Sequence, residues 1–247
     1  MNHWQTGVMP YSWHPKGVTM SWSGTDQPEA LKKNPDAGAW AGVDISYEYN
    51  QHGFRTHELE SLLGQKVNVA LGCSFTEGIG LPVTDCWPSH ITNYPMLNLG
   101  LGSGTTDTVA RILTNISGLY DIQTAFILWP TNARFETYVV FNEGTSPKDL
   151  QARHHVKTVL PMTNRVEYTW ALTDEMSEQR LNRNRCTVEL LSKVFGFRVI
   201  QYTVNDIIAK FRSFGTVGLA DNARDGSHWG SQTQRAISDL MQLTLNE

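Results

Sequence analysis

The chain has 247 residues, 40% hydrophobic and 18% charged, with 20 Lys and Arg against 24 Asp and Glu for a formal net charge of -4. That suits a globular protein with a sizeable core, one large α/β domain or two small ones, and without a Lys/Arg cluster it argues against a nucleic-acid groove, which needs concentrated positive charge. The cysteines Cys73, Cys86 and Cys186 cannot all pair and show no CxxC spacing, so neither a disulfide framework nor a zinc ribbon is indicated.

Taken in order, the first residues carry no basic patch and no apolar core, and no stretch of the chain approaches the roughly 18 apolar residues of a membrane span. The expectation is a cytoplasmic or otherwise soluble protein without a recognisable signal peptide. Residues 1–60 scatter Trp4, Tyr11, Trp13, Trp22 and Trp40 among Pro10, Pro15, Pro28 and Pro35 with no sustained periodicity, and they read as an aromatic-rich arm packed on a main domain of residues 61–247. Within the arm, Ile45 to Tyr49 alternates as a strand should, and Asn50-Gln51-His52-Gly53 supplies a turn before Phe54-Arg55, so a small strand or hairpin is expected there.

Val67 to Leu71 is the first core strand and ends abruptly in Gly72-Cys73-Ser74, with Gly78 and Gly80 close behind. Those glycines lack the Gly-Lys-Ser/Thr ending of a phosphate-binding loop. Asp85 is expected to cap a short helix containing Trp87, Pro88 and His90. A second strand over Pro95 to Leu99 stops in Gly100-Leu101-Gly102-Ser103-Gly104. Thr105 or Thr106 then caps a helix whose inner face holds Val109, Ile112, Leu113 and Ile116. Thr124 to Trp129 is a continuous apolar run suited to a strand buried on both faces, and it ends at Pro130-Thr131-Asn132. The polar, weakly periodic residues 135–175 read as an insertion, a lid or a specificity segment.

A helix over Ser177 to Phe195, with Leu181, Val188, Leu191 and Phe195 inward, stops at Gly196. Phe197 to Thr203 is the fourth strand, and Val204 to Phe211 a short helix. Ser231 caps a closing helix that faces Ala236, Ile237, Leu240, Met241 and Leu245 inward. This alternation implies a mostly parallel sheet covered on both sides.

Strand ends therefore gather Ser74, the Gly100 to Gly104 loop and Asn132 on one edge, where open α/β sheets bind ligands, and Asp225-Gly226-Ser227-His228 arrives just before the last helix. A serine nucleophile needs a base, an acid that fixes the base's tautomer and donors for the oxyanion, and this set contains every role. In the same order, Gly72-Cys73-Ser74-Phe75-Thr76-Glu77-Gly78, Asn98-Leu99-Gly100 followed by Gly102-Ser103-Gly104, Asn132, and Asp225-Gly226-Ser227-His228 resemble the blocks of the SGNH (GDSL-type) hydrolases. The resemblance covers roughly residues 45 to 247, including a Tyr47 to Arg55 lead-in.

It implies a three-layer α/β/α sandwich with a mostly parallel, flavodoxin-like five-stranded sheet, Ser74, Asp225 and His228 as catalytic residues, and no cofactor or metal. The implied oxyanion donors are the N–H of Ser74, an N–H among Gly102, Ser103 and Gly104, and the Asn132 amide. The implied activity is hydrolysis of small acyl esters, such as O-acetyl groups on carbohydrate, through an acyl-serine. The alternatives are an O-acyltransferase using the same serine and a non-catalytic carbohydrate-binding or structural module.

The departures are Cys73 where that family usually has an acidic residue, Pro130 and Ala133 around Asn132, Ser103 at the position of the oxyanion glycine, and Trp229-Gly230 where a proline is common. Cys73 reads as a buried structural thiol, since neighbouring strand residues face opposite ways. Arg134 and Glu136 read as an ion pair. His154-His155 is a poor metal site, because adjacent residues share no face.

Overall fold

The structure is a computed structural model that describes residues 12–131, 133–139, 155–159, 173–213 and 221–246. The arm opens with an antiparallel pair, β1 (Val18–Met20) and β2 (Tyr47–Tyr49), with Val18 opposite Tyr49, and between them lies helix α1 (Pro28–Lys33). The alternating stretch at Tyr47 thus pairs with a strand far upstream and not with the residues after its turn.

The main body follows as β3 (Lys66–Leu71), α2 (Ser74–Glu77), β4 (Met96–Asn98), α3 (Thr106–Ile116) and β5 (Asp121–Trp129). Then come β6 (Phe135–Val139), β7 (His155–Val159), α4 (Asp174–Phe195), β8 (Arg198–Thr203), α5 (Val204–Ser213) and α6 (Ser231–Asn246). The main sheet has the order β4-β3-β5-β8 with every pair parallel. This is the flavodoxin-like order for four strands; among the described residues the expected fifth strand is missing. The segment that would supply it, just before α6, is described only from Asp221, where Asn222 and Trp229 make an isolated bridge.

Strand alternation sorts the side chains into two cores. Val67, Val69, Leu71, Ile127 and Trp129 face one way and pack with Val109, Ile112 and Ile116 of α3 and Leu181 and Val188 of α4. Ala70, Phe126, Leu128 and Ile200 face the other way, onto Ile207 of α5 and Ile237 and Met241 of α6. Helices therefore cover both faces, the arrangement a parallel sheet requires. Each large aliphatic side chain so enclosed stabilises the fold by about 1.5–3 kcal/mol.

The helix ends differ in detail from expectation. Thr105 caps α3 through a reciprocal pair with Thr108, which selects it over Thr106. Helix α4 starts earlier, behind Thr173, and stops at left-handed Gly196; Phe195 is 49% exposed, because the last turn runs past the edge of the core. Asp85 caps no helix: residues 83–90 form two short 3-10 turns. Ser231 does not cap α6 either, since its hydroxyl donates to Asp85; the Asp221 carboxylate accepts from Gln232 N–H (2.9 Å) and Thr233 N–H (3.1 Å) in its place. Between β5 and α4, β6 and β7 form a two-stranded antiparallel sheet. No helix among the described residues is long and apolar enough to cross a membrane.

The arm forms a third core in which Trp40, Ile45, Tyr47 and Tyr49 pack on Ile79, Leu81, Cys86 and Ala223. Buried Arg55 clamps this layer by donating to the carbonyls of Gly78 (2.8 Å), Leu81 (2.9 Å) and Ser46 (2.7 Å).

Candidate active site

Successive connections leave β3 toward β4 and then cross back to β5, so the carboxyl ends of β3 and β5 flank a topological switch point. Ser74 lies there, as the first residue of α2. The turn that delivers it is tight: a Cβ on Gly72 would stand 2.2 Å from the Thr76 hydroxyl and 2.8 Å from the Leu128 carbonyl, so only glycine fits.

The Ser74 hydroxyl is 2.7 Å from His228 Nε2, and His228 Nδ1 is 2.7 Å from Asp225 Oδ2. An ionised carboxylate only accepts hydrogen bonds, so this contact assigns the proton to Nδ1 and leaves the Nε2 lone pair facing Ser74. Asp225 is held in place by its surroundings. Oδ1 accepts from the N–H of Ser227 (3.1 Å) and His228 (3.0 Å), and Oδ2 also accepts from the hydroxyls of Ser227 (2.6 Å) and Thr25 (2.6 Å). Burial pushes the Asp225 carboxyl up, but His228, Ser227 and Thr25 outweigh it and hold the group well below the usual carboxylate range.

The loop carrying Asp225 and His228 is tied to the arm. Asn34 donates to the carbonyls of Ala223 (2.8 Å) and Arg224 (3.1 Å), while Arg224 pairs with buried Asp26 at 2.7 Å and lies over the Trp22 ring. On the other side, Phe75 stacks on Trp229 at 4.1 Å and meets the His228 ring edge-on at 5.0 Å, fixing the imidazole's plane.

The three oxyanion candidates in the second loop separate clearly. Gly102 N–H donates to Glu77 Oε2 at 2.5 Å, and Gly104 N–H donates to the Leu101 carbonyl at 2.7 Å. Ser103 is the one non-glycine residue with positive φ among the described residues (62°), and neither its N–H nor that of Ser74 has a partner among them. Asn132 and His154 lie outside the described residues. Cys73 is buried, and burial pushes its thiol up despite the nearby Phe75 N–H and Arg134 charge. Glu136 binds Arg111 (2.8 Å) and Thr108, so it makes no pair with Arg134; the reason is that α3 turns Arg111 toward the start of β6.

Sequence reasoning missed Thr25, Trp13, His14 and Glu77. Only Glu77 offered a local signal, an acid inside an otherwise small and apolar turn. Among the described residues no group of three or more His, Cys, Asp or Glu is placed to hold a metal ion. A recess of about 970 Å³ between the arm and residues 82–98 is lined by Arg55, His57, Tyr94 and Asn98 and does not include Ser74, Asp225 or His228.

No family model matches the chain, and no curated protein matches it. Solved structures do. A lipolytic protein of the G-D-S-L family from Veillonella parvula is 11% identical, over 73% of this chain and 97% of that one, with a TM-score of 0.37. A carbohydrate acetylesterase family member from Sinorhizobium meliloti is 14% identical over 74% and 98% (TM-score 0.33), and the aryl esterase of M. smegmatis 13% identical over 73% and 99% (TM-score 0.34). The solved structures this chain is similar to thus include members of the GDSL lipolytic family and carbohydrate acetylesterases.

Proposed function

We propose that the chain is a serine esterase acting on small acyl esters, of the O-acetyl carbohydrate kind that the motif resemblance implies, through an acyl-serine. The observation that carries this reading is the continuous hydrogen-bonded series Ser74, His228, Asp225 at 2.7 Å and 2.7 Å. Ser74 Oγ attacks the ester carbonyl while its proton moves to His228 Nε2. Asp225 keeps the imidazole oriented and offsets the positive charge it gains. The N–H groups of Ser74 and Ser103 receive the oxyanion, together with the Asn132 amide. His228 returns the proton to the leaving alcohol; water, deprotonated by the same imidazole, then releases the acid from Ser74.

Turnover of p-nitrophenyl acetate to butyrate by the wild type and by Ser74→Ala tests the reading. The wild type turns over, and the variant loses at least about 1000-fold, as nucleophile removal does in a triad. Equal rates in the two proteins would sink the assignment. Adding an alcohol acceptor and analysing products separates hydrolysis, which yields free acid, from acyl transfer.

A further inference from the structure

Glu77 is 0% exposed, yet the reaction outlined above gives it no task. Its carboxylate is held from three sides: Oε1 accepts from the Tyr49 hydroxyl (2.7 Å), and Oε2 contacts His14 Nε2 (3.1 Å) and accepts from Gly102 N–H (2.5 Å). A carboxylate so engaged and shut off from solvent is no general base. Of these three donors, two have alternatives. Tyr49 is also 2.6 Å from the Ser23 hydroxyl, and His14 has two tautomers. The backbone N–H of Gly102 has neither freedom.

Gly102 is gripped at both ends, because its carbonyl accepts from the Trp13 indole N–H at 3.0 Å. One residue on, the chain takes the left-handed conformation at Ser103, which a non-glycine residue adopts only when its neighbours enforce it. The next residue lies against the nucleophile's turn: a Cβ on Gly104 would stand 3.2 Å from the Gly72 carbonyl and 3.6 Å from Cys73 Cα. Glu77 itself closes the short helix that starts at Ser74. A single buried acid therefore joins the helix of the nucleophile to the turn of the oxyanion donor.

We propose that Glu77, supported by Trp13 and His14 of the arm, is a positioning residue that sets the oxyanion site by holding Gly102 so that the Ser103 N–H stays unpaired beside Ser74. This rests on the serine esterase reading. Diverting Gly102 N–H to a carboxylate also removes the donor that would otherwise compete with Ser103 for the oxyanion.

The experiment compares Glu77→Met, which keeps volume and deletes the acceptor, with Glu77→Gln, whose amide oxygen still accepts from Gly102. Rates are scaled to the fraction of sites titrated by an organophosphate, so a loss of folded protein does not register as slow chemistry. Misplacing a donor by about 1 Å can cost about 100-fold, and losing one costs about 100- to 1000-fold. The expected result is therefore a kcat about 100-fold lower in Glu77→Met, with KM within about threefold, and recovery to within about 10-fold of wild type in Glu77→Gln. The Ki of an alkyl boronic acid, a tetrahedral mimic, rises in step with the loss of kcat.

Should Glu77→Met fail to fold by urea titration, Trp13→Phe removes the indole N–H on Gly102 while keeping an aromatic ring in place; kcat falls by about 3- to 10-fold, with the boronic acid Ki following. A per-site kcat within about threefold of wild type in folded Glu77→Met, or in Trp13→Phe where it is the variant used, overturns the proposal, as does a fall in kcat with unchanged boronic acid affinity. The esterase reading fails differently, by equal rates in the wild type and Ser74→Ala.

Discussion

Arg224→Ala is the perturbation for which the structure fixes a magnitude most directly. Arg224 and Asp26 are 5% and 0% exposed at their side chains. The guanidinium donates to both Asp26 oxygens, from Nε (3.0 Å and 3.2 Å) and Nη2 (2.7 Å), and Nη2 also donates to the Ser21 carbonyl at 2.7 Å. Truncation leaves Asp26 buried with the Tyr47 hydroxyl at 2.6 Å as its remaining side-chain donor. An uncompensated charge of this kind costs about 3–5 kcal/mol, far above the roughly 0–1 kcal/mol of an exposed pair.

For a chain of this size each kcal/mol moves the melting midpoint by about 2–4 °C, so Tm is expected to fall by roughly 6–20 °C. Urea unfolding followed by far-UV circular dichroism measures the free energy, and a thermal melt gives the midpoint. A double variant, Asp26→Leu with Arg224→Met, removes the orphaned charge and recovers about half of the loss, since apolar pairs of similar volume replace buried ion pairs well. A loss below about 1 kcal/mol in Arg224→Ala would refute the reasoning, because the pair would then behave as a solvated one.

Acid sensitivity follows from Asp225 and Glu77. Burial raises both, but their hydrogen-bond donors prevail and hold each below its unfolded value, so the unfolded chain binds more protons in acid. Their stabilisation is complete above the unfolded carboxylate range near pH 4 and is lost as pH falls below it; urea midpoints hold between pH 7 and 5 and fall at pH 3, and wild type falls more steeply than Glu77→Gln. Cys73→Ala keeps ester turnover within about 10-fold of wild type, because its thiol is buried and protonated and the proposed nucleophile is Ser74; a loss as large as that of Ser74→Ala would make the thiol the nucleophile. Asp221→Ala removes the acceptor for the first turn of α6 and lowers stability by about 0.5–2 kcal/mol, read from the urea midpoint.

The main strands were legible because Val67 to Leu71 and Thr124 to Trp129 are apolar runs too short for helices and closed by Gly or Pro, and the sheet buries both faces of them. The grouping of Ser74, Asp225 and His228 was legible because Ser74 lies where an apolar run breaks into a turn, and Asp225-Gly226-Ser227-His228 follows in the right order just before the last helix. The choice among Gly102, Ser103 and Gly104 was not, since it depends on where a distant carboxylate sits; composition favours glycine for a left-handed residue, whereas tertiary contacts impose that conformation on Ser103. Thr25 carries no local mark, for its partner lies 200 residues away. Phe195 fits an inward helical period and yet emerges, because periodicity fixes the side of a helix but not how far the core extends beneath it.

The contacts between arm and loop also bear on when the site comes into being. Thr25 meets Asp225 across 200 residues, Arg224 meets Asp26 across 198, and His228 meets Ser74 across 154. Contacts of such separation are the slow, late ones in folding, because the chain must close its widest loops to make them. During synthesis, Ser74 and the residues around it emerge 154 positions ahead of His228. On the proposed esterase reading, a nascent chain carries Ser74 without its base throughout that interval, and the site is assembled only after the loop of Asp225 and His228 has emerged and closed on the arm.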